Sequence, residues 1–353
     1  MAVGNDGSRR GGVRQVAAAA GVSMSTVSNV LNRPDVVAAE TRQRVEDAMS
    51  AVGFVRNGAA RQLRGAPSSV VGCIVLDSSN IFFAEVVRGM EDKLAQANCL
   101  LVTCSTDVQP QRELHYLRML DEQGVRGVIV SPVIGKLDGL VSLSRHGVPV
   151  VLLDRRRGKT ELCAVTVDNV RGGRLAVQHL LELGHQRIAM VTVSTEVESL
   201  ADRAKGARLA IRDAGLAPDD VLLTIRMPGP AAPDRYADAV DHLLALTPRP
   251  TAALCFNDTA AVGVLRELRR RGIAVPTEMS VMGYDDVHFA SELSPALTTV
   301  RQPRYQLGWA AAELLLAESD ARHRHQELLF QPDLVVRAST CPPRRPGRRP
   351  ASS

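Results

Sequence analysis

Two groups of residues have the types and spacing to do chemistry. The first lies in residues 21–32, GVSMSTVSNVLN, where Met24, Ser25, Thr26, Ser28 and Asn29 share one helical face. Apart from Met24 they are short, uncharged hydrogen-bonding side chains, the kind that can read base edges at close range from a helix in a DNA major groove. Val27, Val30 and Leu31 recur at i, i+3, i+4 and form the opposite, apolar stripe. Ser23 stands before the stripe, where its hydroxyl can cap the helix or contact a phosphate. The second group closes a series of apolar runs: Asp77, Asp154, Asp168, Asn257 and Asp285. Polar groups gathered at strand ends suit a cleft for a hydroxylated small molecule. Each can equally cap the helix that follows it.

These groups need elements to hold them. Val13, Val16, Ala17 and Ala20 predict a short first helix, and Gly21 supplies the tight turn of a helix-turn-helix. Pro34 in NRPD breaks the chain. A third helix is expected over about 39–51, with Val45, Ala48, Met49 and Val52 on one face and the pairs Glu40–Arg44 and Arg42–Glu46 at ion-pair spacing. Residues 57–65, NGAARQLRG, hold good helix formers but too few apolar residues to be stable alone. Beyond the 66–69 linker, strands are expected at 70–77, 100–106, 127–132, 148–154, 164–168, 187–193, 221–226, 251–257 and 280–286. Continuous Val/Ile/Leu runs separated by helices mean parallel sheets covered on both faces, and so many strands mean two lobes.

Composition narrows the partners. The chain has 353 residues, 45% hydrophobic and only 3% aromatic, and no apolar run of membrane-spanning length. Its start, MAVGNDGSRRGG, lacks the apolar core of an export signal. Six cysteines without CxxC spacing suit reduced thiols in a cytoplasm. The net charge of +5 is concentrated at the ends: residues 1–65 hold nine arginines against five acids, and residues 341–353 hold four arginines and no acid. A basic N-terminus on a mildly acidic body suits a nucleic-acid contact made by that end. His185 in GHQR reads as a surface turn residue. His323 and His325 lack a third ligand at sensible spacing, so no metal and no cofactor are expected.

The run VSMSTVSNVLNRP followed by ETRQRVEDAMSAVGFVRNGAARQLRG resembles the N-terminal module of the LacI/GalR family of bacterial transcription regulators. The likeness continues through VTVDNVRGGRLAVQHLLELGHQRIAMV (165–191), FNDTAAVGVL (256–265), SVMGYDDVHFASELSPALTTVRQP (280–303) and PDLVVRAST (332–340). It implies an all-α helix-turn-helix domain at 12–56 and a hinge helix and linker at 57–69. A two-lobed α/β domain like the periplasmic sugar-binding proteins would follow at 70–340, and a disordered tail at 341–353. Lobe 1 would hold about 70–168 and 300–326, and lobe 2 about 169–297 and 327–340. The three crossings would fall near residues 168–169, 297–300 and 326–328.

The resemblance also implies site residues. Met24, Ser25 and Asn29 would read bases, while Ser23, Thr26 and Ser28 would touch phosphates or cap. Arg56, Asn57, Ala60, Arg61 and Leu63 of the hinge would enter the minor groove, with Leu63 as the wedge that bends the duplex. Arg56 stands where the family frequently has Pro. The effector pocket would draw on Asp77, Ser78, Asn80, Phe82, Phe83, Asp154, Arg155, Arg203, Asn257 and Asp285. Phe82 and Phe83 would stack on a ring or belong to the core, and Ile81 stands where the family often has Pro. Arg203 would clamp hydroxyls or a carboxylate. The expected whole is a homodimeric, effector-controlled repressor on a palindromic operator, its effector a sugar or, less commonly in the family, a purine. A solute-binding protein would need an export signal, and no GxSxG, GxxxxGK[ST], HExxH or GxGxxG motif points to an enzyme.

Overall fold

A computed structural model of the chain describes residues 11–55, 67–133, 135–193, 197–227, 233–320 and 322–344. The expected hinge residues Arg56, Asn57, Ala60, Arg61 and Leu63 lie outside the described residues, as do 345–353. The chain divides into two compact units, residues 1–67 and 68–353.

In the first unit, helices α1 (Val13–Ala20), α2 (Met24–Asn32) and α3 (Ala39–Ala51) enclose a core of Val16, Ala17, Val27, Val30, Val45 and Ala48. Gly21 ends α1 at φ +63°, a left-handed conformation that lets its N–H reach the carbonyls of Ala17 and Ala18. The two ion pairs expected on α3 do not form; Gln43 donates to Asp47 at 3.0 Å instead. Exposed pairs of long side chains gain little over hydration, so this costs α3 little.

In the second unit, the larger sheet is parallel, in the order β11-β5-β4-β3-β1-β2, and the smaller, also parallel, runs β7-β6-β8-β9. The strands of the larger sheet are β1 (Val70–Val75), β2 (Leu100–Ser105), β3 (Gly127–Val130), β4 (Val150–Leu153), β5 (Cys163–Val167) and β11 (Glu327–Phe330). The smaller sheet holds β6 (Ile188–Val193), β7 (Leu222–Met227), β8 (Ala252–Cys255) and β9 (Ser280–Met282). A third, two-stranded antiparallel ribbon joins β10 (Thr299–Arg301) to β12 (Asp333–Val335).

Helices α4 (Ile81–Gln96), α5 (Pro110–Glu122) and α6 (Asp138–Arg145) follow β1, β2 and β3. Helices α7 (Asn169–Glu182), α8 (Glu198–Asp213), α9 (Pro218–Val221), α10 (Pro233–Ala245) and α11 (Asp258–Arg270) belong to the smaller sheet's lobe, and α12 (Arg304–Ala317) returns to the larger one. Two of these helix pairs meet at glycines. A Cβ on Gly308 of α12 would lie 1.8 Å from Val86 O of α4, and one on Gly206 of α8 would lie 1.8 Å from Val170 O of α7. No helix among the described residues is long and apolar enough to cross a membrane.

Three further expectations change. The third crossing lies beyond Phe330, not at 326–328, because Glu327–Phe330 pairs in register with β5 (Glu327 with Ala164) and so extends the lobe 1 sheet. Residue 341 belongs to the body rather than to a disordered tail, since its N–H donates to Ser280 Oγ at 3.0 Å. His185 is buried rather than a surface turn residue: Nδ1 meets Thr251 Oγ1 at 2.8 Å and Nε2 meets the Cys341 carbonyl at 3.0 Å, which anchors the returning C-terminal segment.

Candidate functional sites: a recognition helix and an interlobe polar network

Ser23 caps α2, its Oγ accepting from Thr26 N–H at 3.1 Å and lying 2.8 Å from Thr26 Oγ1 and 2.7 Å from Ser25 Oγ. The capping alternative therefore holds for Ser23, and the cap fixes where α2 begins. Val27 and Val30 are buried against α1 and α3, which turns the opposite face outward. On that face Met24 is 52% exposed, an unusual position for a thioether, and Ser25 and Asn29 are also exposed. Thr26 and Ser28 are half-buried. Ser28 accepts from Asn32 Nδ2 at 3.2 Å, so the polar face is partly ordered in advance. Replacing Ser23 with alanine should destabilise α2 by about 1 kcal/mol. Hydrogen exchange of the α2 amides would read the loss, and unchanged protection would assign Ser23 to another role.

In the larger unit, Asp154 follows β4 and Asn169 opens α7 just past the first crossing. Asn169 is a hub. Its Nδ2 donates to Asp154 Oδ1 at 3.2 Å, and its Oδ1 accepts from Arg203 Nε at 2.9 Å and from the Tyr284 hydroxyl at 3.3 Å. Arg203, only 7% exposed, also donates from Nη1 to the Phe256 carbonyl at 2.6 Å and lies with its guanidinium carbon 3.7 Å from the Tyr284 ring centre. This contact depends on two glycines. A Cβ on Gly173 would come within 2.0 Å of Arg203 O, and one on Gly172 within 1.9 Å of the Tyr284 hydroxyl.

Asp285 closes the network from the β9 side. Its Oδ1 accepts from Gln302 Nε2 at 2.7 Å, while Gln302 Oε1 is buried without a hydrogen-bond partner among the described residues. The carboxyl of Asp285 is pushed up to about 8 by burial, with Arg203 opposing and Asp258 adding to the rise. Burial likewise pushes Asp258 up to about 6 and raises Asp154. Asp154, Asp285 and Asp286 all have positive φ, at 51°, 119° and 56°. Non-glycine residues persist there only when their surroundings over-determine them, which is common at ligand clamps. Beside the network a cavity of about 340 Å³ is lined by Glu85, Arg301, Gln302, Arg304 and Gln331 among others.

A pH dependence follows. A buried acid with a raised pKa binds a proton more readily folded than unfolded, so stability falls as pH rises through the interval between the two values. For Asp285 that interval runs from its ordinary value of 3.8 to about 8. Urea melts at about pH 5 and about pH 8 should show the wild type weaker at the higher pH, and Asp285→Asn should lose less across the same interval. Equal losses in both would remove Asp285 as the cause.

The other expected pocket residues divide. Arg155 lies near the network but is engaged: its Nε is 3.2 Å from Glu198 Oε2 across the lobes and its Nη2 donates to Gly135 O at 2.8 Å. Asn257 is buried and caps α11, its Oδ1 accepting from Ala260 N–H at 2.7 Å. Asp168 caps α7 through Arg171 N–H at 2.9 Å. Asn80 caps α4 through Phe82 N–H at 3.1 Å, and Asp77 accepts from Ser79 N–H at 2.8 Å. The Asp77 charge still reaches lobe 2, where, after burial and Cys255, it helps push the Tyr236 hydroxyl up. Ser78 is exposed, its N–H donating to Ser105 Oγ at 3.1 Å. Phe82 and Phe83 are core residues rather than stacking faces: at 3% and 4% exposure they pack edge to face among Val86, Leu307 and Ala311. Asn169, Tyr284 and Gln302 were not anticipated. Their signal, an Asn just after a strand-end Asp and a Tyr just before another, is legible only once the lobes are assembled.

The comparisons with known proteins agree with this architecture. Residues 13–57 match the model of bacterial regulatory proteins of the lacI family, and residues 177–340 match that of the periplasmic binding protein-like domain. The chain is 32% identical over 331 residues to the HTH-type transcriptional repressor PurR of Vibrio atlanticus, covering 93% of this chain and 98% of that one. Among solved structures, it is similar to the lac repressor dimer bound to operator and the anti-inducer ONPF, with a TM-score of 0.82, 27% identity and coverage of 94% and 100% of the two chains. A LacI family transcriptional regulator from Enterococcus faecium with bound ribose matches with a TM-score of 0.70 and 30% identity, over 77% of this chain and 99% of that one. With a helix-turn-helix that turns a polar face outward, and two parallel-sheet lobes that meet in a buried polar network, the chain belongs to the LacI family, as a repressor-type DNA-binding transcriptional regulator with an effector-binding domain.

Proposed function

We propose that the protein represses transcription as a homodimer on a palindromic operator, and that a sugar bound between the lobes controls it. The observation that carries this reading is the Arg203–Asn169–Asp154 network with Asp285 beside it. It joins a strand end of lobe 1 to two helices of lobe 2, so a ligand that competes for these bonds must alter how the lobes meet. Two of Arg203's five N–H donors serve Asn169 and Phe256. The other three, the Asp285 and Asp154 carboxyls and the unpartnered Gln302 Oε1 suit a ligand rich in hydroxyls. A purine is less well served by the network itself, because Phe82 and Phe83 are buried and Arg203 covers Tyr284, so none of these three rings offers a base an open face. The ribose bound to the Enterococcus faecium relative supports the same class.

On DNA, Met24, Ser25 and Asn29 would read bases and Thr26 and Ser28 would face phosphates. The hinge segment with Arg56, Asn57, Ala60, Arg61 and Leu63 would enter the minor groove. The two ends are coupled reciprocally: effector and operator change each other's affinity by one factor. Leu63→Ala tests the DNA half. An apolar wedge matters only where the duplex is bent at a specific site, so operator affinity should fall at least about tenfold while non-specific affinity holds. Equal losses on operator and random DNA would refute the wedge.

A further inference from the structure

A second polar cluster lies at the other end of β5 from Asp168. Cys163 begins the strand, and its neighbour Ala164 pairs with Glu327 of β11 and donates its N–H to Gln326 O at 3.0 Å. That register sets His325 beside Cys163. His323 is held in the same connection by a 2.8 Å bond from its N–H to Asp320 O. Glu318 arrives from the C-terminal cap of α12. Arg157 straps the connection down, Nη1 donating to His325 O at 2.7 Å and its N–H to Glu327 Oε2 at 3.0 Å.

The four side chains converge. Cys163 Sγ lies 3.1 Å from His323 Nε2 and 3.9 Å from His325 Nδ1, while Glu318 Oε1 lies 3.4 Å and 3.0 Å from the same two nitrogens. All four donor atoms fall within 4.8 Å of one another. Tetrahedral bonds of about 2.0–2.3 Å place ligand atoms about 3.3–3.7 Å apart, in the middle of this spread. The charge balance points the same way. Glu318 is a largely buried carboxylate at the negative end of a helix, where the dipole favours a cation. Its ion-pair partners among the described residues are the two imidazoles alone.

We propose that Cys163, Glu318, His323 and His325 form a four-ligand Zn²⁺ site in lobe 1, distinct from the interlobe network and independent of the function proposed above. A thiolate and two imidazoles select zinc over the hard cations magnesium and calcium. Four protein ligands leave no open position, so the site is structural: it fastens the end of α12 to the start of β5 and the approach to β11. On binding, the Cys163 S–H bond breaks, sulfur keeps the electron pair and donates it to zinc, and the proton leaves to solvent.

The test uses the untagged full-length chain, stripped with EDTA and titrated with Co²⁺, then Zn²⁺. We expect one equivalent of Co²⁺ to produce a thiolate-to-cobalt charge-transfer band and tetrahedral visible absorption, both lost when Zn²⁺ displaces it. Cys163→Ser should abolish the charge-transfer band, and His325→Gln, at a half-buried position that tolerates polarity, should weaken Co²⁺ binding at least about tenfold. Absence of the band in the wild type would overturn the proposal. So would a band that persists in Cys163→Ser, or unchanged affinity in His325→Gln, which reports even if the cysteine variant fails to fold.

Discussion

Arg203→Ala is expected to lose the effector response and to unfold at lower denaturant than the wild type. The substitution removes the donors to Asn169 Oδ1 and to the Phe256 carbonyl and uncovers one face of Tyr284. Buried acceptors stripped of a charged donor cost about 3 kcal/mol together, the range in which an uncompensated polar group outweighs an ordinary hydrogen bond. Effector affinity should fall by about a hundredfold or more, since three ligand donors go at once. Arg203→Lys sharpens the test. Lysine keeps the charge as a single point but cannot span Asn169 and Phe256 as a fork, so it should recover part of the stability and little of the affinity. If either variant responds to effector as the wild type does, Arg203 is not the clamp.

Gly206→Ala should have a comparable effect through packing alone. Its Cβ would sit 1.8 Å from Val170 O and 2.9 Å from Arg174 N, so backbone meets backbone and no rotamer change relieves the clash. Helices α7 and α8 must separate, which costs about 3 kcal/mol, the upper part of the usual range for overpacking. Because Arg203 is on α8 and Asn169 on α7, the separation also opens their 2.9 Å bond. Gly308→Ala is the control. It makes an equally short contact, 1.8 Å to Val86 O, between the lobe 1 helices α4 and α12. Both variants should lose stability, but only Gly206→Ala should lose effector affinity at temperatures where both are folded. Parallel losses of affinity would mean that the network does not depend on the α7–α8 approach.

Much of this organisation is legible in the sequence because it depends on local pattern. The apolar stripe of α2, the Gly21 turn and the unbroken Val/Ile/Leu runs of the nine expected strands each reflect neighbours within a few residues. Features set by distant neighbours are not. Glu327–Phe330 reads as the start of lobe 2 until its register with Cys163–Val167 draws it into the lobe 1 sheet. His185 follows a helix as a turn residue would, yet the returning Cys341 segment buries it. The ligand set of Cys163 and the two histidines spans about 160 positions, so no spacing rule reveals it. The strand-end polar groups were legible as a class, but Asp168 and Asn257 are spent on helix caps. The hub fell to Asn169, which acquires its role only when Arg203 and Tyr284 arrive from two other elements.

The central claim is that a ligand-responsive body controls specific DNA binding by the N-terminal helices. Its most direct test is a nuclease footprint of the purified full-length chain on the DNA flanking its own gene, at two salt concentrations. The account predicts one protected palindrome with enhanced cleavage at its centre, where the duplex is bent, and protection that falls steeply with salt as phosphate contacts release counterions. Uniform, sequence-independent protection at low salt that vanishes at the higher salt would contradict it.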